Sequence, residues 1–200
     1  MPLLPAITLP QGTLYCWHIT ETLTQLSALA TANNIAFTTI AASTRMQQSI
    51  AWKLVVQKCI STNNIIYSNK KPSVASTHIS VSHTNEYAYV LHASEECGLD
   101  AELISEKAVR IKLKFCNTQE LLLFEEYDFT LNEFYTLLWC AKEAIYKRYN
   151  DGYSFVNEIK ISTIDSVNQQ ITAHINTPTT NENCTVHYLL HNNMYIAYVL

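Results

Sequence analysis

The chain has no Cys-x-x-Cys pair. Its six cysteines, Cys16, Cys59, Cys97, Cys116, Cys140 and Cys184, are widely scattered. This argues against a zinc site and for reduced, mostly buried thiols. The start, Met1-Pro2-Leu3-Leu4-Pro5, lacks the cationic residues and unbroken apolar run of a signal peptide. No stretch approaches the roughly 18 uninterrupted apolar residues of a membrane span. The expectation is a cytoplasmic protein without membrane contact. Positive charge is also in short supply, with 13 Lys and Arg against 17 Asp and Glu and a net charge of −4. A generic polyanion binder is therefore disfavoured, and no nucleic-acid partner is expected. Any anion must be held by a local basic cluster.

What is present is apolar residue in quantity, 48% of the 200 residues, with twelve tyrosines. That suits one compact domain or two intimately packed halves. A strand is expected over 14–19, then a helix over 21–32 and a second from Arg45 to about residue 60, with Ile50, Leu54 and Val55 at helical spacing. A short strand is expected at 65–67. Lys70-Lys71-Pro72-Ser73 reads as a loop, because proline and its predecessor favour extended or turn geometry. Segments 78–82 and 87–92 alternate about Thr84-Asn85 and predict a hairpin. A strand follows over 97–103. The charged segment 106–114 is ambiguous, and 117–126 reads as helical.

Thr130-Leu131-Asn132-Glu133 fits a capping box. The helix it opens is expected to run to residue 149, where Asn150-Asp151-Gly152 stops it. The rest alternates like an antiparallel meander, over 155–161, 171–175, 185–190 and 194–200. Helices mixed with antiparallel strands predict an α+β fold. The similar order in the two halves suggests a pseudo-duplicated pair of α/β half-domains, 1–96 and 97–200, each with an antiparallel sheet packed on helices.

Two segments carry the chemistry. Gly98-Leu99-Asp100-Ala101-Glu102 sets two carboxylates two residues apart on a strand, hence on one face. Trp139-Cys140-Ala141-Lys142-Glu143-Ala144-Ile145-Tyr146-Lys147 sets a third on a helix with lysines on either side. Three carboxylates with nearby cations suit a hard divalent cation and a phosphate ester. On this helix Phe134, Leu137, Leu138, Ala141 and Ile145 share one face, with Trp139, Glu143 and Lys147 opposite. Each segment also has a plain reading. The strand acids can keep an edge strand soluble. The helix face can be solvated, with a Glu–Lys pair contributing about 0.2–0.5 kcal/mol. A tryptophan opposite the main apolar face, however, needs another surface, or a ligand, to cover it.

The ordered set Ser82-His83, Gly98-Leu99-Asp100-Ala101-Glu102 and Trp139-x-x-Lys142-Glu143-Ala144-x-x-Lys147 resembles the 4′-phosphopantetheinyl transferase superfamily. Length and motif placement resemble its surfactin-synthetase-activating (Sfp-type) branch more than the half-length holo-acyl-carrier-protein synthase branch. There are departures. Ala101 replaces the usual Ile or Val, Lys70 stands where glycine is often found before Lys71-Pro72, and the helix from Arg45 offers only Lys53 as a second cation.

The resemblance implies transfer of the phosphopantetheine arm of coenzyme A to a serine of an apo acyl or peptidyl carrier protein, releasing 3′,5′-ADP. It implies Asp100, Glu102 and Glu143 as ligands of Mg²⁺, with Mn²⁺ as an alternative. Glu143 is implied as general base and Lys147 as stabiliser of the departing phosphate, with Lys142 near the same phosphates or orienting Glu143. Ser82, His83, Lys71 and Arg45 are implied to hold coenzyme A through its 3′-phosphate and neighbouring charge. A monomer with one complete site per chain is expected. Lys107, Arg110, Lys112 and Lys114, interleaved with apolar residues, form a possible docking strip for an acidic carrier, or a solvated face. Two other readings stay open: a catalytically weakened relative that binds carrier or nucleotide, and a metal-dependent phosphoesterase.

Overall fold

The computed structural model describes residues 2–38, 42–68, 71–75, 77–149 and 153–200. The expected helix stop at Asn150-Asp151-Gly152, and Lys70, lie outside the described residues. The chain divides into two compact units: Met1–Cys97 with Leu200, and Gly98–Val199.

The first unit opens with β1 (Ile7–Leu9), which the sequence reading did not anticipate, and β2 (Gly12–His18). Helix α1 (Leu23–Ala32) starts at a capping box in which Thr22 and Gln25 satisfy each other's backbone N–H groups. Helix α2 (Ser43–Val55) buries Met46, Ile50, Leu54 and Val55, and runs into a π-helical turn, Val56–Ile60, that ends at left-handed Ser61. Strands β5 (His78–Thr84) and β6 (Tyr87–Ala93) form the expected hairpin, with Asn85 at φ 49° in its turn. The main sheet has the order β1-β2-β6-β5. The segment expected as a loop is instead β4 (Lys71–Val74), paired with β3 (Ile65–Ser68). Pro72 is tolerated because a two-stranded sheet is all edge, so its missing N–H need cost no ladder bond. Trp17, Leu26, Ile50, Leu54, Val56, Ile79 and Val90 supply the core.

The second unit begins with β7 (Gly98–Leu103). The ambiguous 106–114 segment is α3 (Glu106–Ile111) plus a 3₁₀ turn, Lys112–Lys114. Helix α4 (Thr118–Leu123) is capped by Asn117 and Glu120 and followed by a 3₁₀ turn, Phe124–Glu126. Helix α5 (Leu131–Tyr149) begins at the expected box: Thr130 N–H donates to Glu133 Oε2 at 2.8 Å, and Glu133 N–H donates to Thr130 Oγ1 at 3.3 Å. The meander is β8 (Ile159–Asp165), β9 (Gln170–Asn176), β10 (Asn181–His191) and β11 (Met194–Val199). Asn192 and Asn193, both at positive φ, form the β10–β11 turn, as a two-residue hairpin loop requires. The sheet order β7-β11-β10-β9-β8 leaves β7 at an edge. All pairings in both sheets are antiparallel. The α+β expectation, antiparallel sheets packed on helices, is met.

Helix α5 is enclosed on more sides than its apolar stripe predicts. Tyr135, Thr136, Cys140, Lys142 and Ala144 are buried alongside Phe134, Leu137, Leu138, Ala141 and Ile145. Five cysteines are buried, Cys59 is partly exposed, and all six are free thiols.

Candidate active site

Strand β7 and helix α5 build the site, and a glycine sets how near they come. A Cβ on Gly98 would lie 1.9 Å from the Ala144 carbonyl oxygen and 2.8 Å from the Arg148 nitrogen. The strand thus rests directly on helix backbone, which no larger residue permits. Alternation along the strand carries Asp100 and Glu102 to the same face as Gly98. Both carboxylates therefore face α5.

The contacts follow from that placement. Lys147 Nζ donates to Asp100 Oδ1 at 2.7 Å, with Asp100 only 5% exposed. Asp100 Oδ2 is buried and accepts no hydrogen bond. Trp139 Nε1 donates to Glu102 Oε1 at 3.0 Å, and Lys107 Nζ lies 3.3 Å from the same oxygen. So β7 is an edge strand, yet Asp100 is buried and Glu102 half-buried.

Glu143 lies between Trp139 and Lys147 along the helix. Burial first, then the charge of Asp100, push its carboxyl up to about 7; Lys147 opposes, Glu102 adds to the rise, and Lys107 opposes. Burial works against a charged Lys147, but the charge and hydrogen bond of Asp100, helped by Glu143, outweigh it and raise its pKa. Glu143 thus feels both strand carboxylates, and two lysines oppose them.

This donor set fits a hard divalent cation in chemistry, being three carboxylates from two rigid elements. As the side chains stand, no group of three His, Cys, Asp or Glu residues among the described residues could hold a metal ion. Lys147 on Asp100 and Lys107 on Glu102 occupy carboxylate oxygens that such an ion would use.

Lys142 departs from its expected place. It is fully buried, its Nζ 2.7 Å from Glu120 Oε1 and donating to the carbonyls of Phe115 at 2.7 Å, Phe155 at 2.6 Å and Ile159 at 2.8 Å. The three protons of an ammonium are thereby committed to the interior, so contact with phosphates is ruled out. Burial lowers its pKa and Glu120 opposes the drop. Glu120, also fully buried, accepts from Asn117 N–H at 2.8 Å and Ile161 N–H at 2.7 Å. The pair ties α5 to the start of α4 and to β8.

The residues expected to hold the nucleotide lie in the first unit. Ser82 and His83 are neighbours on β5, so they leave opposite faces of the sheet; Ser82 is buried and His83 exposed. Lys71 donates to Glu96 at 2.7 Å, and His78 lies 3.3 Å from the same carboxylate. Arg45 is exposed in the first turn of α2.

The basic strip is less uniform than its spacing suggests. Arg110 pairs with Glu106 at 2.6 Å and Lys107 with Glu102, Lys112 lies over the Tyr135 ring at 4.8 Å, and Phe115 is core. Leu113 is 73% exposed.

Sequence reasoning missed Glu120 and Lys107 as partners of the motif residues. It also left open what covers Trp139. The answer is the same unit: the rings of Phe115 and Phe155 meet the indole edge-on, at 5.2 and 5.5 Å between centroids. Phe155 follows sixteen residues later and carries no local signal of that contact.

Comparison with known proteins places this arrangement. No curated protein matches the chain. Among solved structures, the crystal structure of Thermotoga maritima holo-[acyl-carrier-protein] synthase aligns at 16% identity and a TM-score of 0.41. It covers 52% of this chain and 61% of that one, so less than two thirds of that protein is spanned and the likeness is too distant for any conclusion to rest on it. A family model matches residues 96–199, just over half the chain, which takes in β7, α5 and every carboxylate and lysine of the cluster. On that match the chain belongs to the 4′-phosphopantetheinyl transferase superfamily.

Proposed function

We propose that the protein transfers the 4′-phosphopantetheine arm of coenzyme A to a serine hydroxyl of an apo acyl or peptidyl carrier protein, releasing 3′,5′-ADP. The observation that carries this reading is the cluster of Asp100, Glu102 and Glu143 with Lys147 2.7 Å from Asp100, inside the family-matched region. The division into two compact units supports assignment to the Sfp-type branch.

Asp100, Glu102 and Glu143 would hold Mg²⁺ or Mn²⁺, which when bound neutralises the coenzyme A pyrophosphate as it is cleaved. Lys147 is the cation nearest the strand carboxylates. It pairs with Asp100 as the structure stands, and a phosphate arriving at the cluster offers its ammonium a second anionic partner. It would there stabilise charge on the departing phosphate. Glu143, placed one turn before Lys147 on the same helix face, is the base that takes the serine proton. Lys142 holds the helix and takes no part in phosphate contact. In the first unit, exposed His83 and Arg45 are assigned to the nucleotide phosphates, with Lys71 free to contribute only by releasing Glu96. Ser82, being buried, contributes only as the strand neighbour that fixes His83.

The test is incubation with coenzyme A, Mg²⁺ and a panel of apo carrier proteins, followed by intact-mass measurement. A carrier gaining the mass of the arm supports transfer. Tight coenzyme A binding with no gain on any carrier would mark a non-catalytic binder, and hydrolysis of simple phosphate esters without a carrier would mark a phosphoesterase.

A further inference from the structure

We propose that Trp139 is a positioning residue for Glu102, and that the buried Lys142–Glu120 pair keeps its indole in place. The inference rests on the reading above, in which Glu102 binds the metal.

Two groups reach Glu102 Oε1. Lys107 does so at 3.3 Å from a side chain that is 65% exposed, an arrangement that solvent and salt readily loosen. Trp139 does so at 3.0 Å through a donor that cannot rotate away without moving a whole ring. The ring is held by Phe115 and Phe155, which meet it edge-on at 5.2 and 5.5 Å between centroids. The indole therefore fixes which way the carboxylate points, engaging one oxygen from the helix side. A carboxylate ligand oriented by a rigid hydrogen-bond donor loses less freedom on binding a cation than one that swings.

The wedge has an anchor. Phe115 and Phe155 are the two phenylalanines whose carbonyl oxygens accept from Lys142 Nζ, at 2.7 and 2.6 Å. Lys142 lies three residues after Trp139, close to one turn along α5. One ammonium thus holds the backbone of both residues whose rings clamp the indole, while Glu120 balances its charge at 2.7 Å. This gives the Trp-x-x-Lys spacing a physical meaning. The lysine sets the walls, the tryptophan sits between them, and its N–H aims the glutamate on the neighbouring strand.

The experiment is Mn²⁺ titration of the full chain with coenzyme A, read by electron paramagnetic resonance, alongside thermal melts without metal. Trp139→Phe keeps an aromatic ring in the wedge and removes the N–H. Its Mn²⁺ Kd should rise by about 10–100-fold while the metal-free melting temperature holds. Phe155→Leu keeps the N–H but removes one wall, and should raise Kd by a smaller factor; it also serves as the test if Trp139→Phe folds poorly. Unchanged Mn²⁺ affinity in both variants overturns the positioning role. If Glu102→Gln binds Mn²⁺ as wild type does, Glu102 is not a ligand, and both the reading and the inference fall. Wild-type binding that is lost in Glu102→Gln and kept in Trp139→Phe overturns the inference alone.

Discussion

Both units combine antiparallel strands with helices, and they treat charge differently. In the first, the core of Trp17, Leu26, Ile50, Leu54 and Val90 is apolar, and the contacts of Lys71 and His78 with Glu96 and of His18 with Glu86 involve partly or largely exposed side chains. In the second, Lys142 and Glu120 are fully enclosed, Asp100 is 5% exposed beneath Lys147, and Glu143 is crowded by its neighbours' charge. Buried charge costs several kcal/mol per ion unless geometry repays it. The first unit thus keeps these charges at its surface, outside an apolar core. The second carries charge inside, where Lys142 and Glu120 answer each other at 2.7 Å.

The comparison is broken most severely at that pair. Lys142→Ala removes the ammonium partner of the buried Glu120 carboxyl, and should cost about 3–5 kcal/mol by urea unfolding. Lys71→Ala in the first unit should cost only about 0.2–1 kcal/mol, since its pair with Glu96 is partly solvated. Equal losses would deny the contrast. Next in size is Asp100→Ala, which should reduce Mg²⁺-dependent transfer by on the order of 10²–10³-fold in the mass-shift assay. An unchanged rate would remove Asp100 from the site.

A smaller effect separates binding from chemistry. His83→Ala should raise KM for coenzyme A by about tenfold, the worth of one charge-assisted hydrogen bond, and leave KM for the 3′-dephospho form nearly unchanged. Equal rises for both would reject a 3′-phosphate contact.

The smallest test compares one threonine helix cap from each unit. Thr22 is boxed with neutral Gln25 and Thr130 with ionisable Glu133. Either Thr→Ala change should cost about 1 kcal/mol near neutral pH. The hydrogen bonds from the Thr130 side chain and backbone lower the Glu133 pKa below 4.5. A depressed carboxyl stabilises the fold above its unfolded pKa and loses that contribution as pH falls through the folded value. The Thr130→Ala cost should therefore shrink in melts below about pH 4.5, while the Thr22→Ala cost should not.

Local signals read well wherever a single element decides its own structure. Thr130 with Glu133 started α5 where the capping pattern said, and Thr84-Asn85 joined two alternating segments into a hairpin. Pro72 misled because the partner that makes it a strand, β3, is set by pairing rather than by proline's own preference. Lys142 misled for a related reason. Helical spacing says which residues share a face but not which face is enclosed, and its acceptors come from Phe115, Phe155, Ile159 and Glu120, each distant in the chain. Trp139 raised a question that only Phe115 and Phe155 answered.

By itself the sequence determined that Asp100 and Glu102 share a strand face, that Glu143 and Lys147 share a helix face, and that the fold is α+β, since these follow from periods of 2 and 3.6 residues. Only the tertiary structure decided that the two faces meet. Gly98 lets β7 lie against the backbone of α5, and that contact turns two solvated faces into one cluster of coupled charges.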